Sequence, residues 1–172
     1  MMPSIDLRLA SMIRSVQEVI LPALSGHSGL AQEQAHLLLG QLMVLRSQVD
    51  GALAFERIEA TSLADLASEL ARTAEGGGKT EAAAAALAAL LKGATGEHPA
   101  DVRQFLQACS LAVEALIGAS GEDGSEAFRA ASAEAILRHG RQTALRNRRW
   151  FSATNFEAPE VRLPTLDPLA GD

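Results

Sequence analysis

Over most of the chain the apolar residues recur three and four positions apart, the spacing of one face of an α-helix. In the first segment Ile5, Leu9, Met12, Val16, Val19 and Ala23 alternate steps of four and three, and Ile13, Ile20 and Leu24 widen the stripe. Pro22 falls in the last turn, where it kinks or ends a helix, and the following SGHSG supplies breakers and an N-cap at Ser28. A second stripe, Ala35, Leu38, Leu42, Leu45, Val49 and Ala52, predicts one helix from near Leu30 to near Glu59. At its rise per residue such a helix is about 45 Å long, the spine of the fold. Leu39, Met43 and Leu53 form a second apolar row beside the stripe. That is more hydrophobic face than one seam inside the chain uses, so it points to a homodimer built on helix surface.

The middle of the chain is less periodic. Ser62-Leu-Ala-Asp65 reads as a capping box that opens a short helix to about Ala74, after which EGGGK interrupts regular structure. Glu81 to Lys92 is dominated by alanine, with Leu87, Leu90 and Leu91 as its only large anchors. Residues 75 to 97 are therefore expected to be an irregular, mobile Gly/Ala-rich segment. Pro99 suits the first turn of a further helix with the stripe Val102, Phe105, Cys109, Ala112 and Leu116, closed by GASGEDGS. A last helix follows from Ser125 to Arg149, and from Ser152 onward three prolines and no helical period predict an extended tail. The pattern gives an all-α class: an up-and-down helical bundle over residues 1–151 and an extended proline-containing tail over 152–172.

Composition narrows the class further. With 48% hydrophobic and 21% charged residues the chain is globular rather than disordered. The net charge of -6 works against generic attraction to nucleic acid, which is not expected as a partner. One cysteine, Cys109, allows no intrachain disulfide. No run approaches 18 apolar residues, and Asp6, Arg8 and Arg14 interrupt the N-terminal segment, so neither a membrane span nor a signal peptide is expected. The chain reads as a cytoplasmic, bacterial protein without a membrane partner.

Sequence motifs for chemistry are few. Gly76-Gly77-Gly78-Lys79-Thr80 before a helix resembles the end of a phosphate-binding P-loop, but that loop needs its first glycine where this chain has Thr73, and a strand before it. A flexible loop is the expected reading. Glu33-Gln-Ala-His36 offers a carboxylate and an imidazole one helical turn apart, yet no second such pair exists, so no metal site is expected. Cys109 lies on an apolar stripe and reads as a small buried hydrophobe. Nothing like G-x-S-x-G frames a serine. No cofactor and no catalytic residue are expected.

One charged feature stands out. RHGRQTALRNRRWF, residues 138 to 151, holds five of thirteen arginines and no acid. At about 100° per residue, Arg138, Arg141, Arg148 and Arg149 share roughly 100° of the helix circumference, with Arg146 about 60° further on and Trp150 just beyond. Ala133, Leu137, Gly140 and Ala144 line the neighbouring side, small enough for another helix to approach. These arginines either complement the C-terminal helix dipole and pair with local acids, or form an anion or acidic-partner surface with bidentate reach. The first reading is preferred. Trp150, Phe151 and Phe156 are expected to pin the tail onto the bundle.

Residues 16 to 50, VQEVILPALSGHSGLAQEQAHLLLGQLMVLRSQVD, resemble the first two helices of an uncharacterised family of small helical bacterial proteins. Its members occur beside acyl-CoA dehydrogenases and aminoglycoside-phosphotransferase-like kinases. The likeness rests on Leu21-Pro22-Ala23-Leu24 at a helix end, a short glycine turn and a long second helix. That family has no established activity, so the resemblance implies an accessory role and transfers no site residues. The expectation is a non-enzymatic helical interaction protein whose partner is itself or another protein. The alternative is an enzyme or small-molecule binder that takes a phosphorylated or CoA-type anion on the arginine-rich last helix.

Overall fold

A computed structural model describes residues 4–26, 29–93, 99–152 and 163. Among these the fold is all-α, with helices α1 (Ile5–Ser15), α2 (Leu21–Ala23), α3 (Gly29–Gln48), α4 (Ala52–Thr73), α5 (Gly78–Lys92), α6 (Pro99–Asp123) and α7 (Glu126–Trp150). The chain packs as two compact units. Among the described residues, one holds those of 4–52 and 146–163 and the other those of 53–145. The expected N-cap at Ser28 and nearly all of the expected tail, Phe156 included, lie outside the described residues.

In the first unit, Ser4 caps α1 by accepting a hydrogen bond from the Leu7 amide at 3.2 Å. Between α1 and α2 the helix widens into a π-helical stretch, Val16–Ile20, in which the Leu21 amide reaches back five residues to the Val16 carbonyl. Pro22 is the physical reason: it has no N–H to donate and its ring crowds the carbonyl four residues earlier, so the turn before it opens. Among the described residues of the unit, Leu9 and Val16 of this helix and Ala35 and Val44 of α3 are the buried apolar ones. Arg46 on α3 donates to the Asp6 carboxylate on α1 at 2.6 Å, which holds that carboxyl below its usual range.

The expected spine of nearly thirty residues is two helices. α3 stops at Gln48 and α4 starts at Ala52. The break falls at Val49-Asp50-Gly51, where the Gly51 amide turns back onto the Gln48 carbonyl. A Cβ on Gly51 would lie 3.3 Å from the Trp150 ring, and Gln48 Nε2 donates to the Trp150 carbonyl at 3.1 Å. An apolar stripe continues through this turn without a helix beneath it. Ser62, expected to open a helix, sits inside α4.

The second unit has a closed core. Leu66, Ala67 and Leu70 of α4, Ala84 and Leu87 of α5, Cys109 and Leu116 of α6, and Phe128 and Ala135 of α7 form one buried cluster. The expected irregular middle is corrected here over residues 78–92, which form a regular helix with Thr80, Ala84 and Leu87 buried. Thr80, Ala84, Leu87 and Leu91 recur at four, three and four, and the alanines let α5 approach α6 closely, so few large anchors suffice. Residues 94–98 of that segment lie outside the described residues. A second correction concerns GASGEDGS: α6 continues through it to Asp123 before turning at Gly124.

Candidate functional site

The arginines of α7 are placed by the way the helix is anchored. Ser125 caps it, accepting from the Phe128 amide at 3.0 Å, and its own amide donates to the Glu75 carbonyl at 2.8 Å. With Phe128, Ser132 and Ala135 buried, the outward side carries Arg138 and Arg141. Arg138 is committed within its own unit: its Nη2 donates to both oxygens of Glu69, at 2.7 and 2.6 Å. Arg141 is exposed and has no acidic partner among the described residues. Arg146, Arg148 and Arg149 belong to the first unit together with Trp150. Arg146 is half-buried, on the same row as His139 and Thr143, while Arg148 and Arg149 are exposed. The small side of α7 is exposed as well, at Ala133, Leu137, Gly140 and Ala144. Trp150 is half-buried and Phe151 exposed.

The P-loop-like stretch holds an anion, and the anion is the chain's own. Asp123 ends α6 beside the N-terminus of α5. Its Oδ2 accepts from the Lys79 amide at 2.9 Å, and its Oδ1 accepts from the Thr80 amide at 3.0 Å and the Thr80 hydroxyl at 2.6 Å. These bonds, the Thr80 hydroxyl's foremost, keep the Asp123 carboxyl below its usual range. Lys79 pairs with Glu122 alongside. The glycines serve close approach: Gly76 and Gly124 form a backbone bridge, and a Cβ on Gly76 would sit 2.6 Å from Gly124 Cα. The Lys79 and Thr80 amides that a phosphate would need are already taken by this carboxylate.

The remaining sequence candidates separate. His36 donates from Nδ1 to the Gln32 carbonyl at 2.8 Å on an exposed helix face, and among the described residues no three His, Cys, Asp or Glu side chains come together to hold a metal. Cys109 is buried, which pushes its thiol up and keeps it protonated. One cluster escaped the sequence reading. His139 of α7 lies 3.4 Å from the Ser62 hydroxyl through Nδ1 and 3.4 Å from the Thr143 hydroxyl through Nε2. The signal was a histidine in register with Phe128 and Ala135, a polar ring on a core-facing row.

The most extensive unsatisfied chemistry is apolar. On α3, Leu30, Leu37, Leu38 and Leu45 are exposed by between 50% and 67%. At about 100° per residue all four share roughly 100° of the circumference, over a length of about 22 Å. On α1 and the π-helical stretch, Ile5, Met12 and Val19 lie seven apart and are exposed by 47% to 65%. The expected core seam of α3 is thus corrected at Leu38 and Leu45, which face outward, whereas Leu39 and Leu42 are half-buried. No helix among the described residues is long and apolar enough to cross a membrane. Neither a protein-family model, nor a curated protein, nor a solved structure matches the chain.

Proposed function

We propose that this chain is a helical interaction protein that associates with a second copy of itself through the outward faces of α1 and α3. The observation that carries this reading is the leucine stripe Leu30, Leu37, Leu38 and Leu45. Single exposed leucines are ordinary, but four on one face of one helix, with Gln34 and Gln41 set between them, make the kind of patch that marks an interface. Its spacing of seven and eight residues suits helix-on-helix packing, and a two-fold axis along such a stripe makes it self-complementary. Ile5, Met12 and Val19 give the same unit a second exposed apolar row.

Sedimentation equilibrium at tens of micromolar protein tests it. The expected mass is twice the 18.0 kDa of the chain. Leu37→Glu with Leu45→Glu should return the monomer mass while the helical circular dichroism stays unchanged. A wild-type chain that is strictly monomeric at that concentration refutes the proposal.

A further inference from the structure

The second unit contains a recess at the edge of its core, lined by none of the residues of the proposed association face. It measures about 660 Å³ and lies among α4, α5 and α6. That volume is within the roughly 300–1,000 Å³ of small-molecule sites. Its origin is legible in the residues. The core of this unit is filled by Leu66, Leu70, Leu87, Leu116 and Phe128, whereas the recess is walled by Ala60 and Ala64 of α4, Ala89 of α5 and Ala108 of α6. At this edge of the core the short alanine side chains of three helices do not fill the space between them, and a gap is left. Its floor is apolar, made by Leu90, Val102 and Phe105, with Val102 buried and the other two half-buried.

The rim is polar and of mixed sign. Arg57 and Asp101 contribute one charge each, and Thr61 and Gln104 add groups that both donate and accept hydrogen bonds. A dianionic head would gain from Arg57 and lose to Asp101, so the rim gives no net attraction to phosphate. We infer that this recess binds a small amphipathic molecule with an apolar body against Leu90, Val102 and Phe105 and an uncharged, hydrogen-bonding head at Thr61 and Gln104. It is lined by none of the arginines of α7, and it takes a different chemical class from the phosphorylated anion of the alternative reading of those arginines.

Fluorescence titration with the neutral probe N-phenyl-1-naphthylamine tests the site, with dodecanol and dodecyl phosphate as competitors. Saturable binding of the probe is expected, with dodecanol displacing it at lower concentration than dodecyl phosphate does. Ala64→Leu, which fills the recess, should weaken the probe by about tenfold or more. Ala89→Trp, at an exposed position on the wall, should do the same without entering the core. Leu37→Glu with Leu45→Glu, on the association face, should leave the titration unchanged, which separates this site from that one. Absence of saturable binding overturns the inference. So does binding that survives both recess variants, or that is lost in the α3 variant, and stronger competition by dodecyl phosphate overturns the uncharged head.

Discussion

Replacing Leu87 with Ala tests whether the alanine-rich helix belongs to the core. The Leu87 side chain is fully buried in the cluster with Leu66, Leu70, Cys109, Leu116 and Phe128. The change deletes three carbon atoms, worth about 2.4 kcal/mol at roughly 0.8 kcal/mol each. A cavity among neighbours held by four helices adds to this, and measured Leu→Ala losses at such sites run about 2–5 kcal/mol. Alanine's better helix propensity returns only a few tenths of a kcal/mol. The expected loss is therefore about 3 kcal/mol, read as the shift in urea midpoint at constant slope. Ala86→Gly, on the exposed side of the same helix, supplies the contrast: it should cost about 1 kcal/mol if the segment is helical and nothing if it is coil. Amide exchange over residues 80–91 should be as slow as in α6. A Leu87→Ala loss below about 0.5 kcal/mol, with Ala86→Gly neutral and those amides exchanging fast, would refute the packing assigned to α5.

Three further outcomes follow from the same geometry. Gly124→Ala places a Cβ 2.6 Å from the Ser120 carbonyl oxygen, a backbone atom, so thermal unfolding should begin at clearly lower temperature than for Gly121→Ala, whose Cβ meets nothing within 4 Å. Asp123 has its carboxyl depressed by the fold, so the stability it adds is fully present above its ordinary value of 3.8 and fades as pH falls through the lower folded value. Asp123→Asn should therefore unfold more easily than wild type at pH 7, and the gap should close in acid; a gap that widens towards low pH would contradict the sign. Arg141→Gln with Arg148→Gln should leave the melting temperature within about 2 °C and cause no measurable change in binding of phosphorylated metabolites in a thermal-shift screen. A salt-sensitive loss of affinity in that double variant would instead make the basic face an anion site.

Helix existence was legible wherever a stripe was long, as were the start of α6 at Pro99 and both ends of α7, but the ends of α3 and α6 were not. The stripe through Val49 and Ala52 predicted a continuous helix because a spacing of three and four carries on in the sequence whether or not the backbone turns between two helices. The break falls at Asp50-Gly51, a local turn pair that the stripe hides, and Gly51 lies against the ring of Trp150, 99 residues further on. Glycine misled in the opposite direction. Gly118 and Gly121 looked like a terminator, yet both are tolerated inside α6, and the turn waits for Gly124, where the backbone crosses Gly76. The α5 error came from weighing side-chain volume alone: a helix of alanines buries area by letting backbones draw near, so Thr80, Ala84 and Leu87 suffice as its contact row.

Site chemistry was harder to read for a related physical reason. Periodicity states which residues share a face and is silent about what covers it. Ala35, Leu38, Leu42 and Leu45 form one stripe in sequence, but only the Ala35 and Leu42 side is covered within the first unit, and Leu38 and Leu45 join Leu30 and Leu37 on the open side. In the second unit the same periodicity closes over a core. The GGGKT stretch shows the same limit in polar form: its exposed amides were visible in the sequence, while the carboxylate that occupies them, Asp123, lies 43 residues from Thr80. An anion site that the fold fills with its own aspartate acts as a clasp between α5 and α6. Among the described residues the first unit has no such closure for Leu30, Leu37, Leu38 and Leu45, and that open face points to α1 and α3 as the partner surface rather than to the glycine loop or the arginines of α7.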